Sequence, residues 1–552
     1  MSEQPVPPRN GSPKEHLMNH PNLSCDCAPV LGHPISGSRW AYAFLPYLLT
    51  TSFPLAILLW NVGDMPSVAT IVATIGLLLF FVALLDVLLR FFVRRSPYRE
   101  LLLCTAIAFV MGYGHVGNLL WNLGLRRAYF VPAWCVLFLI LVILIVKNSR
   151  SGILPRAALL LQYIFTALVC LQIAWLGTIF SRELLHGGKT ASSLAAMKKE
   201  ASPAVPLAEL PDIYCIILDG YGREDVLRQS FQFDNRDFLE SLRKRGFYVV
   251  DRSRPNYVST GLSLASSLNM RYLNDLGLFA YNTLWPLSNL IQRNEVARCL
   301  KQHGYSTVAV QSGYPLTECP SFDRYIVTCP FILNEFQAAL YRTTFIYHLQ
   351  YLTSRWTGSL HTSQRRLMLG GLSAIPKAVQ DCPSPCFVFA HILLAHPPFI
   401  FDAQGRPLEL SLKDLYDGTQ NRTQYAGQIA FGNTQVLNVI DTIRSTSRRP
   451  ALIILQGDHG PGPEWFNAHA SDAERQSERS ANLNAICLPP GVDVGLYDTM
   501  TPVNTFRLIF DHYFNTKLGR LEDYCYYSKY STSYAFQKIT SETHEIVADR
   551  RK

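Results

Sequence analysis

Two hydropathy regimes divide this chain. Up to about residue 180, long apolar runs are separated by short polar loops; from Pro211 onward, short apolar runs alternate with amphipathic stretches. A membrane-spanning helix needs about 20 apolar residues. Five stretches meet that length: 40–60, 67–89, 101–121, 130–146 and 157–180. Buried helices of soluble proteins rarely run so long without charge, so the first regime predicts an α-helical membrane domain of five spans.

The second regime reads differently. The runs IYCIILDG (213–220), FYVV (247–250), STVAVQS (306–312), CFVFAHILLAH (386–396), ALIILQGDHG (451–460) and NAICLPP (484–490) are rich in β-branched and aromatic residues. Helix-like segments such as NRDFLESLRKRG lie between them. Strands alternating with helices predict an α/β domain whose central, mainly parallel sheet is covered by helices.

Charge orients the two parts. The loop after the second span carries Arg90, Arg94, Arg95 and Arg99, and the loop after the fourth carries Lys147, Arg150 and Arg156. The first loop has no Lys or Arg, and the third has Arg126 and Arg127 alone. Cytoplasmic loops are the Lys/Arg-rich ones, which predicts a cytoplasmic N-terminus and an odd number of crossings before the α/β domain. The expected address is the inner (cell) membrane of a bacterium, with that domain periplasmic or otherwise extracytoplasmic. The expected division is a polar cytoplasmic tail (1–39), a membrane domain (40–180), a linker (181–210), an extracytoplasmic domain (211–515) and a C-terminal tail (516–552). Residues 1–39 are polar and show no apolar core of a cleavable signal. Within the spans, Asp86 lies close enough to the arginine-rich end to pair there, and His115 sits among small residues suited to close helix packing.

Composition narrows the function classes. The formal net charge is +9, but charged residues make up only 16% of the chain and form no Lys/Arg stripe, which argues against nucleic acid as a partner. Thirteen cysteines occur without C-x-x-C zinc spacing. Cys382 with Cys386, and Cys319 with Cys329, are close enough in sequence to form disulfides in an oxidising compartment.

Candidate chemistry collects at run ends. Asp219 ends the first apolar run, His391 and His396 close another, and Asp458 with His459 close a third, each beside a Gly or Pro turn. Ligands of open α/β sheets gather beyond the carboxyl ends of the strands. One such aspartate is an ordinary turn former; five oxygen and nitrogen donors at one sheet edge suit Zn²⁺ or Mn²⁺. A hydroxyl nucleophile is available in PNYVSTGLSLASSLNM (255–270), where Ser259 or Thr260 opens a helix. The bland alternative is that one of them merely caps it.

In series, L-D-G, T-x-x-S-L, H-x-x-x-x-H and D-H-G resemble the alkaline phosphatase and sulfatase superfamily, above all its membrane-anchored branch of lipoteichoic acid synthases and phosphoethanolamine transferases. The resemblance implies a divalent metal, Zn²⁺ or Mn²⁺, held by Asp219, Thr260, Asp458 and His459. It implies Thr260 as nucleophile, because TGLSLA matches that branch's threonine stretch, and His391 and His396 as substrate or second-metal groups. Sulfatases place Cys or Ser in C-x-P-x-R; here Thr260 begins the stretch and Leu264 stands where the arginine would be. The disulfide cysteines that flank the threonine of the transferases are missing, and Ser471 holds the position of their further histidine, with His469 nearby. The function implied is transfer of a phospholipid-derived phospho-headgroup to an envelope glycan or lipid through a covalent Thr260 intermediate. A membrane-anchored phosphodiesterase and a non-catalytic lipid-sensing module are the alternatives.

Overall fold

The computed structural model describes residues 42–60, 68–122, 127–194, 206, 209–276, 284–330, 332–357, 361–380, 385–408 and 421–539. The 1–39 tail, most of the linker beyond residue 194, and Cys382 lie outside the described residues.

Five apolar helices open the chain: α1 (Leu45–Trp60), α2 (Val68–Phe92), α3 (Tyr98–Asn122), α4 (Arg127–Lys147) and α5 (Ile153–Leu194). Four of them, α2 to α5, are long and apolar enough to cross a membrane. The first expected span is shorter than its apolar run, because residues 42–44 turn and the helix begins only at Leu45. Its 16 residues reach roughly 24 Å. Leu45, Leu49, Leu55 and Leu58 bury it among its neighbours. The long helices instead turn large apolar side chains outward, among them Phe80, Leu171 and Trp175. Such surface is stable in hydrocarbon and costly in water. Helix α5 continues to Leu194, so part of the expected 181–210 linker is helical. The predicted pairing of Asp86 is present: Arg90 Nη2 donates to its Oδ2 (2.6 Å) and Arg99 Nε to its Oδ1 (2.9 Å).

The second part is a seven-stranded sheet in the order β2-β7-β6-β1-β5-β3-β4. Its strands are β1 (Asp212–Leu218), β2 (Phe247–Val249), β3 (Ser306–Val310), β4 (Arg324–Ile326), β5 (Cys386–Ile392), β6 (Ala451–Gly457) and β7 (Asn484–Cys487). Strands β4, β3, β5, β1 and β6 run parallel, while β7 and β2 form an antiparallel edge. Both faces of β1 are buried, which is why its sequence is apolar at nearly every position rather than alternating. Tyr214, Ile216 and Leu218 enter one core, shared with α6 (Glu224–Phe231), α7 (Arg236–Lys244) and two helices introduced below. Ile213, Cys215 and Ile217 enter the other, shared with α8 (Thr260–Ser267), α9 (Trp285–Gln292) and α10 (Glu295–Gln302).

Between β4 and β5 come α11 (Glu335–Arg342), α12 (Phe345–Thr357) and α13 (Thr362–Ala374). After β5 come α14 (Arg422–Thr446), α15 (Asp472–Arg479) and α16 (Pro502–Phe514). Helices α13 and α14 complete the first core, and α16 completes the second.

The disulfide expected between Cys319 and Cys329 does not form: both are free and buried. Cys319 packs in the second core and the Cys329 thiol faces the carbonyl of Ser363, so packing rather than cross-linking accounts for them. Cys386 opens β5 inside the first core, and its expected partner Cys382 lies outside the described residues.

Candidate metal and nucleophile site

Strands β5, β1 and β6 are neighbours, so their carboxyl ends deliver residues from three distant sequence regions to one corner. Asp219 follows β1 directly, and Asp458 and His459 follow β6. Two glycines let the loops close. Gly220 adopts φ +69°, where its N–H donates to Asp458 Oδ1 (2.9 Å). Gly460 lies so close to the next loop that a Cβ there would sit 2.0 Å from the carbonyl oxygen of Glu478.

Asp219, Asp458 and His459 are all buried, and one ligand-type atom of each lies within 4.8 Å of the others. Asp219 Oδ1 and Asp458 Oδ2 accept no hydrogen bond. Buried carboxylate oxygens without donors are costly unless a cation meets them. His459 is prepared in the same sense. Its Nδ1 lies 2.7 Å from the carbonyl oxygen of Gly460, which only accepts, so Nδ1 carries the proton and Nε2 keeps its lone pair. The donor set fits a divalent cation.

Thr260 completes the corner. Its Oγ1 is 3.3 Å from His459 Nε2. Ser259 occupies the N-cap position of α8 but its side chain makes no cap bond, and Thr260 is the first helical residue. Capping therefore explains neither hydroxyl. Helix α8 is fixed against β6 by Ser263 Oγ, which donates to the carbonyl of Asp458 (2.7 Å).

The two histidines expected to act together both line the cavity but are set apart by their surroundings. His391 lies within β5, its side chain fully buried, with Nε2 3.4 Å from Asp219 Oδ2 and Nδ1 2.9 Å from Thr317 Oγ1. His396 lies beyond the strand, its ring centroid 5.1 Å from that of Trp465. Its Nδ1 is 2.8 Å from the carbonyl of Pro397, which leaves Nε2 free. Burial pushes the Asp219 carboxyl up, but the nearby imidazoles of His396, His391 and His459 outweigh it and hold the group below the usual carboxylate range. Burial likewise disfavours the His391 imidazolium, and its bond and charge pairing with Asp219 outweigh that and raise its pKa.

His469 is exposed, and Ser471 caps α15 in a capping box with Glu474, so neither supplies a further imidazole to the corner. The unexpected group is Arg479. Its Nη1 lies 3.5 Å from His459 Nε2 and donates to the carbonyl of Val258 (3.0 Å), while its Nε donates to Glu464 (3.0 Å). Its Cζ sits 5.5 Å over the Trp465 ring. No spacing rule distinguishes Arg479 from Arg475 in the sequence; only the fold does.

The corner opens into a cavity of about 1400 Å³. Asp219, Thr260, His391, His396, His459 and Arg479 line it, together with Tyr341, Tyr347 and Gln350. Lys529 and Tyr530, from the C-terminal segment that sequence reasoning passed over, form a further wall.

The sulfatase family model matches residues 211–491, half of the chain. No curated protein matches. Among solved structures, the chain is similar to the C-terminal periplasmic domain of EcEptC from Escherichia coli in complex with Zn, at 11% identity, 58% of this chain, 93% of that one and TM-score 0.39. The integral membrane lipooligosaccharide phosphoethanolamine transferase A from Neisseria meningitidis aligns at 11% identity over 85% of this chain and 94% of that one, with TM-score 0.38. The 2-O GAG sulfatase BT1596 aligns at 13% identity over 58% and 78% respectively, with TM-score 0.36.

Proposed function

The chain belongs to the sulfatase family, and from that premise we propose that residues 211–515 form a metal-dependent phosphotransferase that moves a phospholipid headgroup through a covalent Thr260 intermediate. The observation that carries this reading is the 3.3 Å approach of Thr260 Oγ1 to His459 Nε2, beside two buried carboxylates that each keep one oxygen without a hydrogen-bond donor.

Asp219, Thr260, Asp458 and His459 would hold the cation. Such an ion, Zn²⁺ or Mn²⁺, lowers the pKa of a coordinated hydroxyl and offsets charge on phosphoryl oxygens. The oxygen of Thr260 attacks phosphorus, and the bond from phosphorus to the diacylglycerol oxygen breaks. The headgroup phosphodiester stays on Thr260. An envelope glycan or lipid hydroxyl then attacks the same phosphorus, and the Thr260 oxygen leaves.

His396, which lines the cavity with its Nδ1 engaged by the carbonyl of Pro397, is suited to take the Thr260 proton and return it to the leaving diacylglycerol oxygen. His391 lines the cavity too, and with Nε2 3.4 Å from Asp219 Oδ2 it is suited to position that carboxylate. The N-terminus of α8 presents its positive dipole end where phosphoryl charge develops.

The bundle supports the orientation. Arg99, near the start of α3, sits at the arginine-rich end, whereas Gly114, about 22 Å further along the helix, meets residue Thr343 of the α/β domain. Basic loop and α/β domain thus lie at opposite ends of α3, as an extracytoplasmic catalytic domain requires.

The test is mass spectrometry of the purified full chain incubated with phosphatidylethanolamine or phosphatidylglycerol vesicles. A headgroup-phosphate adduct on the peptide containing Thr260, missing in Thr260→Ala, is the expected result. Lipid and glycan spectra of cells with and without Thr260→Ala identify the acceptor. Release of p-nitrophenol from bis(p-nitrophenyl) phosphate with no acceptor product would instead favour the phosphodiesterase. A protein without cation and without either activity would favour the lipid-sensing module.

A further inference from the structure

We infer that α11 and α12 lie in the membrane interface and form a port through which a phospholipid of the adjacent leaflet reaches the Thr260 corner. The inference rests on the phospholipid-donor reading above and adds the place at which that lipid is met.

Three independent contacts seat this helix pair on the membrane bundle. Gly114 N–H donates to the carbonyl of Thr343 (2.7 Å), and a Cβ at Gly114 would come within 2.6 Å of Thr343 Cα, so only glycine allows the approach. Gln337 Nε2 donates to Thr74 Oγ1 of α2 (3.1 Å). Phe336 and Leu340 of α11 bury themselves in the same core as Leu45 and Leu49 of α1.

Aromatic packing sets the depth. Phe345 lies 4.6 Å from Phe109 and 5.4 Å from Tyr113, centroid to centroid, and His348 lies 5.2 Å from Tyr113. Phe130 and Trp134 of α4 extend the cluster. Tyr and Trp concentrate where hydrocarbon meets headgroups, so α12 runs at that level. With Phe345 and His348 turned toward α3, Ile346 and Leu349 are left about half exposed, at 52% and 50%. Three residues apart, they share one helix face. Scattered on a soluble protein, two such residues would mean little. Here they sit beside helices whose outward surface is apolar. The stretch 333–357 contains one acidic residue, Glu335, and two arginines, Arg342 and Arg355, a balance suited to phosphate headgroups.

The same helices wall the cavity. Ala338, Tyr341, Arg342, Tyr347 and Gln350 line it together with Thr260 and His459. A lipid whose chains stay beside Ile346 and Leu349 can therefore extend its headgroup past Arg342 toward the nucleophile within one continuous space.

The test uses the full chain in vesicles of phosphatidylethanolamine and phosphatidylglycerol containing a phosphatidylethanolamine with an acyl-chain diazirine. After illumination and trypsin digestion, the peptide 343–355 is expected to carry lipid label. In I346E/L349E that label is expected to disappear, and the ratio of diacylglycerol release from vesicles to p-nitrophenol release from bis(p-nitrophenyl) phosphate is expected to fall roughly tenfold or more, as for loss of two apolar side chains from hydrocarbon. I346A/L349A, a milder change, is expected to lower the ratio in the same direction. A wild-type peptide 343–355 without label overturns the inference, as does an equal fall of both activities in both variants. Label without any diacylglycerol release overturns the port and the phospholipid-donor reading together while leaving the site's phosphodiester chemistry to stand.

Discussion

Asp86 in the membrane bundle and Asp458 in the α/β domain are both buried carboxylates, and the protein treats them in opposite ways. Asp86 receives one hydrogen bond on each oxygen, from Arg90 and Arg99, and Arg99 also reaches Glu100. Asp458 accepts the Gly220 N–H on one oxygen and nothing on the other, while Asp219 opposite leaves an oxygen bare as well. Leaving a buried charge unpaired is expensive. At Asp86 two arginines remove that cost. At the ends of β1 and β6 two bare carboxylate oxygens converge instead, beside the His459 imidazole. A carboxylate satisfied by arginine on both oxygens is structural; carboxylates that converge with one oxygen each left bare are suited to bind something from outside.

The sharpest way to break this comparison is to neutralise each acid. Asp458→Asn is expected to remove tightly held Zn²⁺ or Mn²⁺, measured by elemental analysis after gel filtration, and to lower vesicle headgroup transfer by about 10³-fold or more, as loss of a major electrostatic group does. Chelator should lower the thermal midpoint of the wild type by several degrees and leave that of Asp458→Asn almost unmoved, because only the former has a ligand to lose. Asp86→Asn should do the reverse: full metal content, but a loss of about 3 kcal/mol from the broken buried pair, seen as a lower midpoint in detergent. Equal metal content in the two variants would erase the distinction.

A second, smaller effect separates the two histidines. His396→Gln is expected to slow transfer by about 10²–10⁴-fold with KM little changed, and to remove one limb of the pH–rate profile. His391→Gln is expected to weaken metal retention by about 10–100-fold, as loss of a group that orients a ligand does. Identical phenotypes would mean that their separation in the fold has no functional meaning.

That separation also shows where the sequence was readable. Strands β1, β5 and β6 announced themselves because a strand buried on both faces needs an unbroken apolar run, and the Asp219 and Asp458–His459 turns followed directly. The histidine pair did not resolve, since the apolar run 386–396 outlasts the strand, which ends at Ile392. Strand β4 is three half-buried residues, Arg324 to Ile326, too short for any period. Helices α11 and α12 gave no signal because their partner is Gly114 and its neighbours, far away in the chain. Arg479 shares its helix with Arg475, and its value depends on Glu464 and Trp465 turning it toward His459. Local pattern was legible; tertiary apposition was not.

The smallest expected effect concerns a histidine that neither region treats as a ligand. His361, next to the cavity at the start of α13, is buried, and that burial, together with the nearby Arg365 and Arg342 charges, lowers its pKa from 6.5 to about 4. Its neutral form is the one the fold accepts. Between these two values the unfolded chain binds a proton that the native state does not, so stability is complete above pH 6.5 and declines as pH falls toward 4. At pH 5.5 the loss amounts to roughly 1 kcal/mol. The difference in thermal midpoint between pH 7.5 and 5.5 should therefore be smaller in His361→Gln than in the wild type, whatever the absolute stability of the variant. Parallel pH profiles for the two proteins would show that His361 titrates as freely in the native state as in the unfolded one.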